Sequence, residues 1–275
     1  MATATPQIPQ APSTAPTLGK PSAVRTTLAI TRRELGFFFN SPIAYIVIAL
    51  FLVVCGAMLF IFDLPEGGTF FQNNEASLRA LFGPTSPNDF GGIPLLLAFL
   101  IPALTMRLLS EEKRTGTIEL LVTWPVTDTQ IVLGKYLAGL VFVAVMLLFT
   151  VPLALMVGGL GKLDLGLVVG GYLGLFFVGA SYLGLGLMAS SWTKNQIVAF
   201  LVGVTFCAFF YFVDGMVGAV WADARNFFAG LSIKTHSQNI ARGVVDIRDL
   251  VFYLSLISLS VVVTVQSLMA RNWKK

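Results

Sequence analysis

Few side chains in this 275-residue sequence are arranged for covalent or metal chemistry. His236 is the only histidine, and Lys234, Ser237 and Gln238 beside it supply neither a second ligand nor an activated nucleophile, so a structural role is expected. Cys55 and Cys207 sit singly inside apolar runs, without metal-ligand spacing or a disulfide framework, and read as small buried apolar residues. Gly-Lys occurs at 19–20, 134–135 and 161–162, each time without the upstream glycine and following Ser or Thr of a phosphate-binding loop. Neither H-E-x-x-H nor G-x-S-x-G occurs. The sequence therefore reads as a non-enzyme that binds no nucleotide, cofactor or metal itself.

What remains are two charged stretches suited to non-covalent work at a membrane surface. One is the loop 107–135, where Glu111, Glu112, Lys113 and Arg114 precede Thr115, Gly116 and Thr117. Ile118, Leu121 and Val122 then flank Glu119 until Pro125 stops the run, and Thr127 or Asp128 is placed to cap the next helix. A short amphipathic helix on the membrane surface fits this pattern, and so does an ordinary basic loop. The other stretch runs from Arg25 to Asn40. Leu28, Leu35 and Phe39 recur at helical spacing while Arg32, Arg33 and Glu34 form a polar face. It reads equally as an interfacial helix or a solvated basic patch.

The elements that must position these stretches are membrane spans. Hydrophobic residues make up 56% of the chain and charged ones only 12%, about half the charge of a soluble domain. Six apolar runs approach the ~20 residues needed to cross hydrocarbon: 43–62, 93–109, 136–158, 165–190, 197–220 and 250–270. The second carries Pro94 and Pro102 and is read as a candidate for a kink. Placing both termini in the cytoplasm puts twelve Lys and Arg inside and six outside, with acidic residues biased the other way. No span has an ionisable residue in its middle, which argues against an ion-coupled carrier. In the fourth, Gly166, Gly170 and Gly174 repeat every four residues, and Ala180, Gly184 and Met188 form a second seam, a pattern for close helix packing. Residues 1–22, rich in Ala, Pro and Thr, read as a disordered cytoplasmic tail, and 63–92, 159–164 and 221–249 as outer loops. The fold class expected is an all-α, six-span membrane bundle (42–275) preceded by an interfacial helix (23–41).

The run from Glu112 through Gly116-Thr117 and Glu119 to Leu121 resembles the E-x-x-x-G-T-x-E-x-L motif of the permeases of export-type ABC transporters. Reading outward, the blocks starting at Asn40, Ile101, Pro125, Gly134, Gly171, Asn195 and Arg242 look like the gliding-motility-type F permease subfamily. The resemblance implies a half-transporter of the bacterial inner membrane, working with a second permease protomer. It implies a dimer of ATPase subunits that holds ATP and Mg, and an auxiliary membrane protein with an extracytoplasmic domain. It also makes Glu111, Glu112, Lys113, Arg114, Gly116, Thr117, Ile118, Glu119 and Leu121 the ATPase-coupling element. Arg25, Leu28, Arg32, Arg33, Glu34, Leu35 and Phe39 become the connecting helix. Membrane lipid is the expected surrounding, and nucleic acid is not an expected partner. A subunit that passes ATPase motion to an extracytoplasmic partner without moving a substrate is the alternative, with an ion-coupled carrier a distant third.

Overall fold

In hydrocarbon every backbone N–H and C=O must find a partner within the protein, which makes helices the natural outcome for long apolar runs. A computed structural model of the chain describes residues 23–60, 78–83, 92–117, 126–161, 163–220, 228–241 and 246–270. Its elements are α1 (Ala23–Phe39), α2 (Pro42–Phe60), α3 (Arg79–Phe82), α4 (Ile93–Thr115), α5 (Asp128–Leu148), α6 (Val151–Leu160), α7 (Leu165–Trp192), α8 (Gln196–Val220), α9 (Ile233–Ala241) and α10 (Ile247–Met269). No strand occurs among the described residues. Among the described residues, six segments are long and apolar enough to cross a membrane: α2, α4, α5 with α6, α7, α8 and α10. The expected all-α six-span bundle is what the chain forms. The tail 1–22 and most of 63–92 lie outside the described residues.

Local chemistry sets the breaks. Asn40 and Ser41 close α1 by donating backbone N–H bonds to Gly36 and Phe38. Pro42 then starts α2, where its missing N–H costs nothing. The run 136–158, read as one span, is two helices, because α5 ends at Leu148 and α6 starts at Val151. Pro152 lacks the donor that would continue α5, and its ring crowds the carbonyl of Leu148. Thr150 spans the break, its hydroxyl donating to the Leu147 carbonyl at 2.6 Å. The second span, by contrast, runs through Pro102 as a single helix.

The bundle is organised around α7 and α4. Every residue of α7 from Val178 to Ser191 is buried, the mark of a helix enclosed on all sides. The span window of α4 is 67% buried and that of α10 only 22%, so α4 is central and α10 peripheral. Glycines let α7 approach its neighbours. A β-carbon on Gly186 would run into Thr105 of α4, one on Gly184 into Ser260 of α10, and one on Gly179 into Val143 of α5. Six crossings return the chain to the end where it entered, so α1, the end of α4 and the start of α5 gather there.

At the opposite end, stretches read as loops fold back onto the bundle. Phe82 of α3 fills the space beside Gly171 and meets Tyr172 edge-on at 5.2 Å. Ile240 of α9 packs over Gly174. His236 of α9 is buried, with Nδ1 2.5 Å from Asp249 at the start of α10, Nε2 3.1 Å from the Gly230 carbonyl, and its ring stacked on Phe252. Asn239 also donates to Asp249. The lone histidine thus fastens α9 to α10. Its replacement by alanine removes a hydrogen bond to a charged group, worth about 1.5–3 kcal/mol, and is expected to lower thermal stability by that order. Scanning fluorimetry of His236→Ala beside the parent checks it.

Candidate functional site

The side chains that matter at the α1 end are brought together by three helices. Gly134 on α5 is the contact point: a β-carbon there would overlap Ile30 of α1, and the hydroxyl of Thr31 donates to the Gly134 carbonyl at 3.2 Å. Farther along, Phe38 and Phe39 pack on Phe142 of α5, with ring centres 5.5 and 5.9 Å apart. This docking turns α1 so that Ile30, Thr31 and Glu34 are its buried residues. Leu28 consequently faces outward, and Leu35 and Phe39 are half-buried. Glu34, assigned to a polar face together with Arg32 and Arg33, is only 5% exposed. One-dimensional helical spacing cannot register that the partner helix carries a lysine.

That lysine is Lys135, next to the contact glycine and 1% exposed. Its Nζ lies 2.7 Å from Glu112 Oε1 and 3.2 Å from Glu34 Oε2. Arg33 closes the group, with Nη2 2.7 Å from Glu34 Oε1 and 3.8 Å from Glu112. Two cations and two carboxylates from α1, α4 and α5 therefore form a neutral, mostly buried junction. Burial in a medium of low dielectric makes each member dependent on the others.

Of the coupling set, Glu111, Glu112, Lys113 and Arg114 do not start a separate loop helix: they form the last turn of α4, which runs six residues beyond the span read from the sequence. The chain leaves that helix at Gly116, whose φ of 74° is left-handed, with Thr117 beyond it. Alanine at Gly116 meets no steric neighbour among the described residues but must adopt that backbone, so Gly116→Ala is expected to cost about 1 kcal/mol. Chemical unfolding with circular dichroism measures it. Ile118, Glu119 and Leu121 lie outside the described residues. Lys113 donates its ammonium to the Ser191 carbonyl, capping the C-terminus of α7 where a positive charge suits the helix dipole. Ser190 beside it accepts from the Leu109 and Ser110 amides at 3.2 and 3.1 Å, and Ser267 of α10 donates to Ser191. The end of α4 is thereby tied to α7 and α10 as well. These serine contacts, like Lys135, carry no motif that spacing alone would reveal.

Arg114 points away from these ties. With Lys194, Asn195 and Gln196 it lines a second hollow of about 360 Å³ at the start of α8, and both cations are exposed. Arg25 and Arg32 are exposed on α1. Among the seam glycines, Gly174 meets Ile240, Gly184 meets Ser260, Gly170 is buried, and Gly166 lies on the exposed first turn of α7 beside its capping Asp164.

Six apolar spans, one of them a glycine-rich helix packed among the others, with ionisable residues gathered at the bundle ends, define a multi-pass membrane protein. The family model described as ABC-2 family transporter protein matches residues 28–274, and the chain belongs to that family of transporter membrane components. A search of curated proteins returned no match. Membership makes the chain a permease subunit, a transport component that is not itself catalytic.

Proposed function

We propose that this permease is the membrane half of an exporter driven by ATP hydrolysis in a separate ATPase dimer, and that two permease protomers work as a pair. The observation that carries the reading is the ionic junction of Glu34, Arg33, Glu112 and Lys135. It joins the helix lying ahead of the first span to the ends of the second and third, so a push on any one is delivered to all three. ATP and Mg would be held by the partner, and α1 with the end of α4 would be its contact surface. The exposed pair Arg114 and Lys194 supplies a basic hollow for acidic side chains of that partner. On this reading both termini face the cytoplasm of a bacterial inner membrane, in keeping with the twelve-to-six bias of basic residues. The α9–α10 end would meet an auxiliary protein, as in the gliding-motility-type permeases the sequence resembles.

The test is co-purification of the tagged chain from native membranes in mild detergent, with ATPase activity measured on the eluate. An ATPase is expected with the parent. Reversing both charges, Arg114→Glu with Lys194→Glu, is expected to reduce its capture at least about tenfold, since opposed like charges at an interface cost several kcal/mol. Recovery of no ATPase with the parent chain would sink the proposal.

A further inference from the structure

Beside the ionic junction lies a cavity of about 710 Å³ between α1, the start of α2 and the second half of α4. That volume falls within the ~300–1,000 Å³ of small-molecule sites. Phe37, Phe38, Leu104 and Leu108 line its apolar part. Six charged side chains also line it, and four of them are the junction residues, whose charges pair with one another while Glu112 Oε2 is buried without a hydrogen-bond partner among the described residues. The other two are Arg107 and Glu111, and neither has an ion-pair or hydrogen-bond partner for its side chain among the described residues.

Leu104 and Leu108, like Arg107 and Glu111, stand four residues apart, and the second pair is offset from the first by three, so the four form one stripe along α4. Arg107 lies one turn deeper in the bundle than Glu111, about 6 Å along the axis at 1.5 Å per residue. From depth to rim the cavity therefore offers an apolar bed, a cation and an anion. A zwitterionic glycerophospholipid presents the complementary series: acyl chain, phosphate, ammonium. We propose that this cavity is a binding site for a phospholipid of the phosphatidylethanolamine type. The Arg107 guanidinium takes the phosphate through charge-assisted N–H bonds, Glu111 accepts from the primary ammonium, and an acyl chain lies along Leu104 and Phe38. An anionic lipid without the amine leaves Glu111 facing its negative headgroup, and a quaternary amine offers Glu111 no N–H. The site is independent of whether an ATPase drives the protein.

The experiment is native mass spectrometry of the full chain in detergent after incubation with dioleoyl phosphatidylethanolamine, phosphatidylglycerol or phosphatidylcholine. The parent is expected to retain phosphatidylethanolamine at least about tenfold better than the other two, the ratio one charge-assisted hydrogen bond supplies. Glu111→Gln is expected to erase that preference, and Arg107→Gln to release all three lipids, with partial recovery in Arg107→Lys. Ala103→Trp, which fills the cavity, is expected to abolish retention while circular dichroism shows helix content unchanged. Equal retention of the three lipids by the parent, or an undiminished preference in Glu111→Gln, would overturn the site. So would displacement of the lipid by an equal concentration of glycerophosphoethanolamine, which has the headgroup and no chains.

Discussion

Lys135→Met is expected to destabilise the protein by about 3–5 kcal/mol, the range found when one partner of a buried ion pair is removed. Methionine keeps the length and apolar stem of lysine, so packing against α1 and α4 is retained and the loss reports the charge. Two facts place this substitution at the upper end. Lys135 serves two carboxylates, and Glu34 is itself buried, so its negative charge cannot be taken up by water after the lysine is gone. Arg33 remains near both acids but is 43% exposed on its side chain and stands 3.8 Å from Glu112, so it compensates only in part. Removing the charges together gives the opposite expectation. Glu34→Leu with Lys135→Met leaves Arg33 facing Glu112 in a neutral group, and stability should recover to within about 1–2 kcal/mol of the parent. The readout is thermal unfolding of the two single variants and the double. A double no more stable than Lys135→Met would mean that Glu34 is not the charge left uncompensated when the lysine is removed.

The same series separates stability from transmission. If the junction carries motion between helices, the double variant folds but uncouples, because leucine and methionine slide past one another where a lysine held between two carboxylates does not. ATPase activity that no longer responds to the permease in a folded double variant is the expected signature.

The spans were legible in the sequence because a membrane imposes a length and a composition that run along the chain, and both are one-dimensional signals. The break at Pro152 was legible in principle, since proline in a long apolar run carries a stated steric consequence. Glu34 and Lys135 were not. Each sits in a locally ordinary setting, one beside two arginines and one at the head of a span, and only the docking of α1 on Gly134 brings them together. The glycine seam illustrates the same limit from the other side. Four-residue spacing picked out Gly174 and Gly184, whose neighbours are Ile240 and Ser260, but gave equal weight to Gly166, which among the described residues has only its own capping Asp164 nearby. Gly134, Gly139 and Gly186, which admit Ile30, Leu183 and Thr105, lie outside that spacing. Spacing says which residues share a face, and the partner helix decides whether that face is crowded.

Gly186→Leu is expected to be the most disruptive single substitution in the spans. Gly186 lies where three helices meet: its absent side chain makes room for Thr105 of α4, and Gly203 of α8 would bring a β-carbon to 3.7 Å from the Gly186 α-carbon. Gly203 is also confined by Pro102 of α4, whose Cβ would be 3.1 Å away. A leucine at 186 must therefore separate α7 from α4. Thr105 cannot simply rotate away, because its hydroxyl donates to the carbonyls of Ile101 and Pro102 and lies in a fully buried position. The Ile101 bond is useful there, since a proline in mid-helix weakens the local backbone ladder. Overpacking of this kind costs about 1–3 kcal/mol where neighbours yield, and more where backbones must part, so failure to fold is the expected result. Gly36→Ala is the matched control: Gly36 is inside α1 with no neighbour near its missing side chain among the described residues, and alanine there should stabilise the helix by about 0.5–1 kcal/mol. Membrane yield and size-exclusion profile compare the two directly. A well-folded Gly186→Leu protein would mean that α4 and α7 are free to move apart at their crossing, and the rigid core around which α1 and the ionic junction are organised would have to be placed elsewhere.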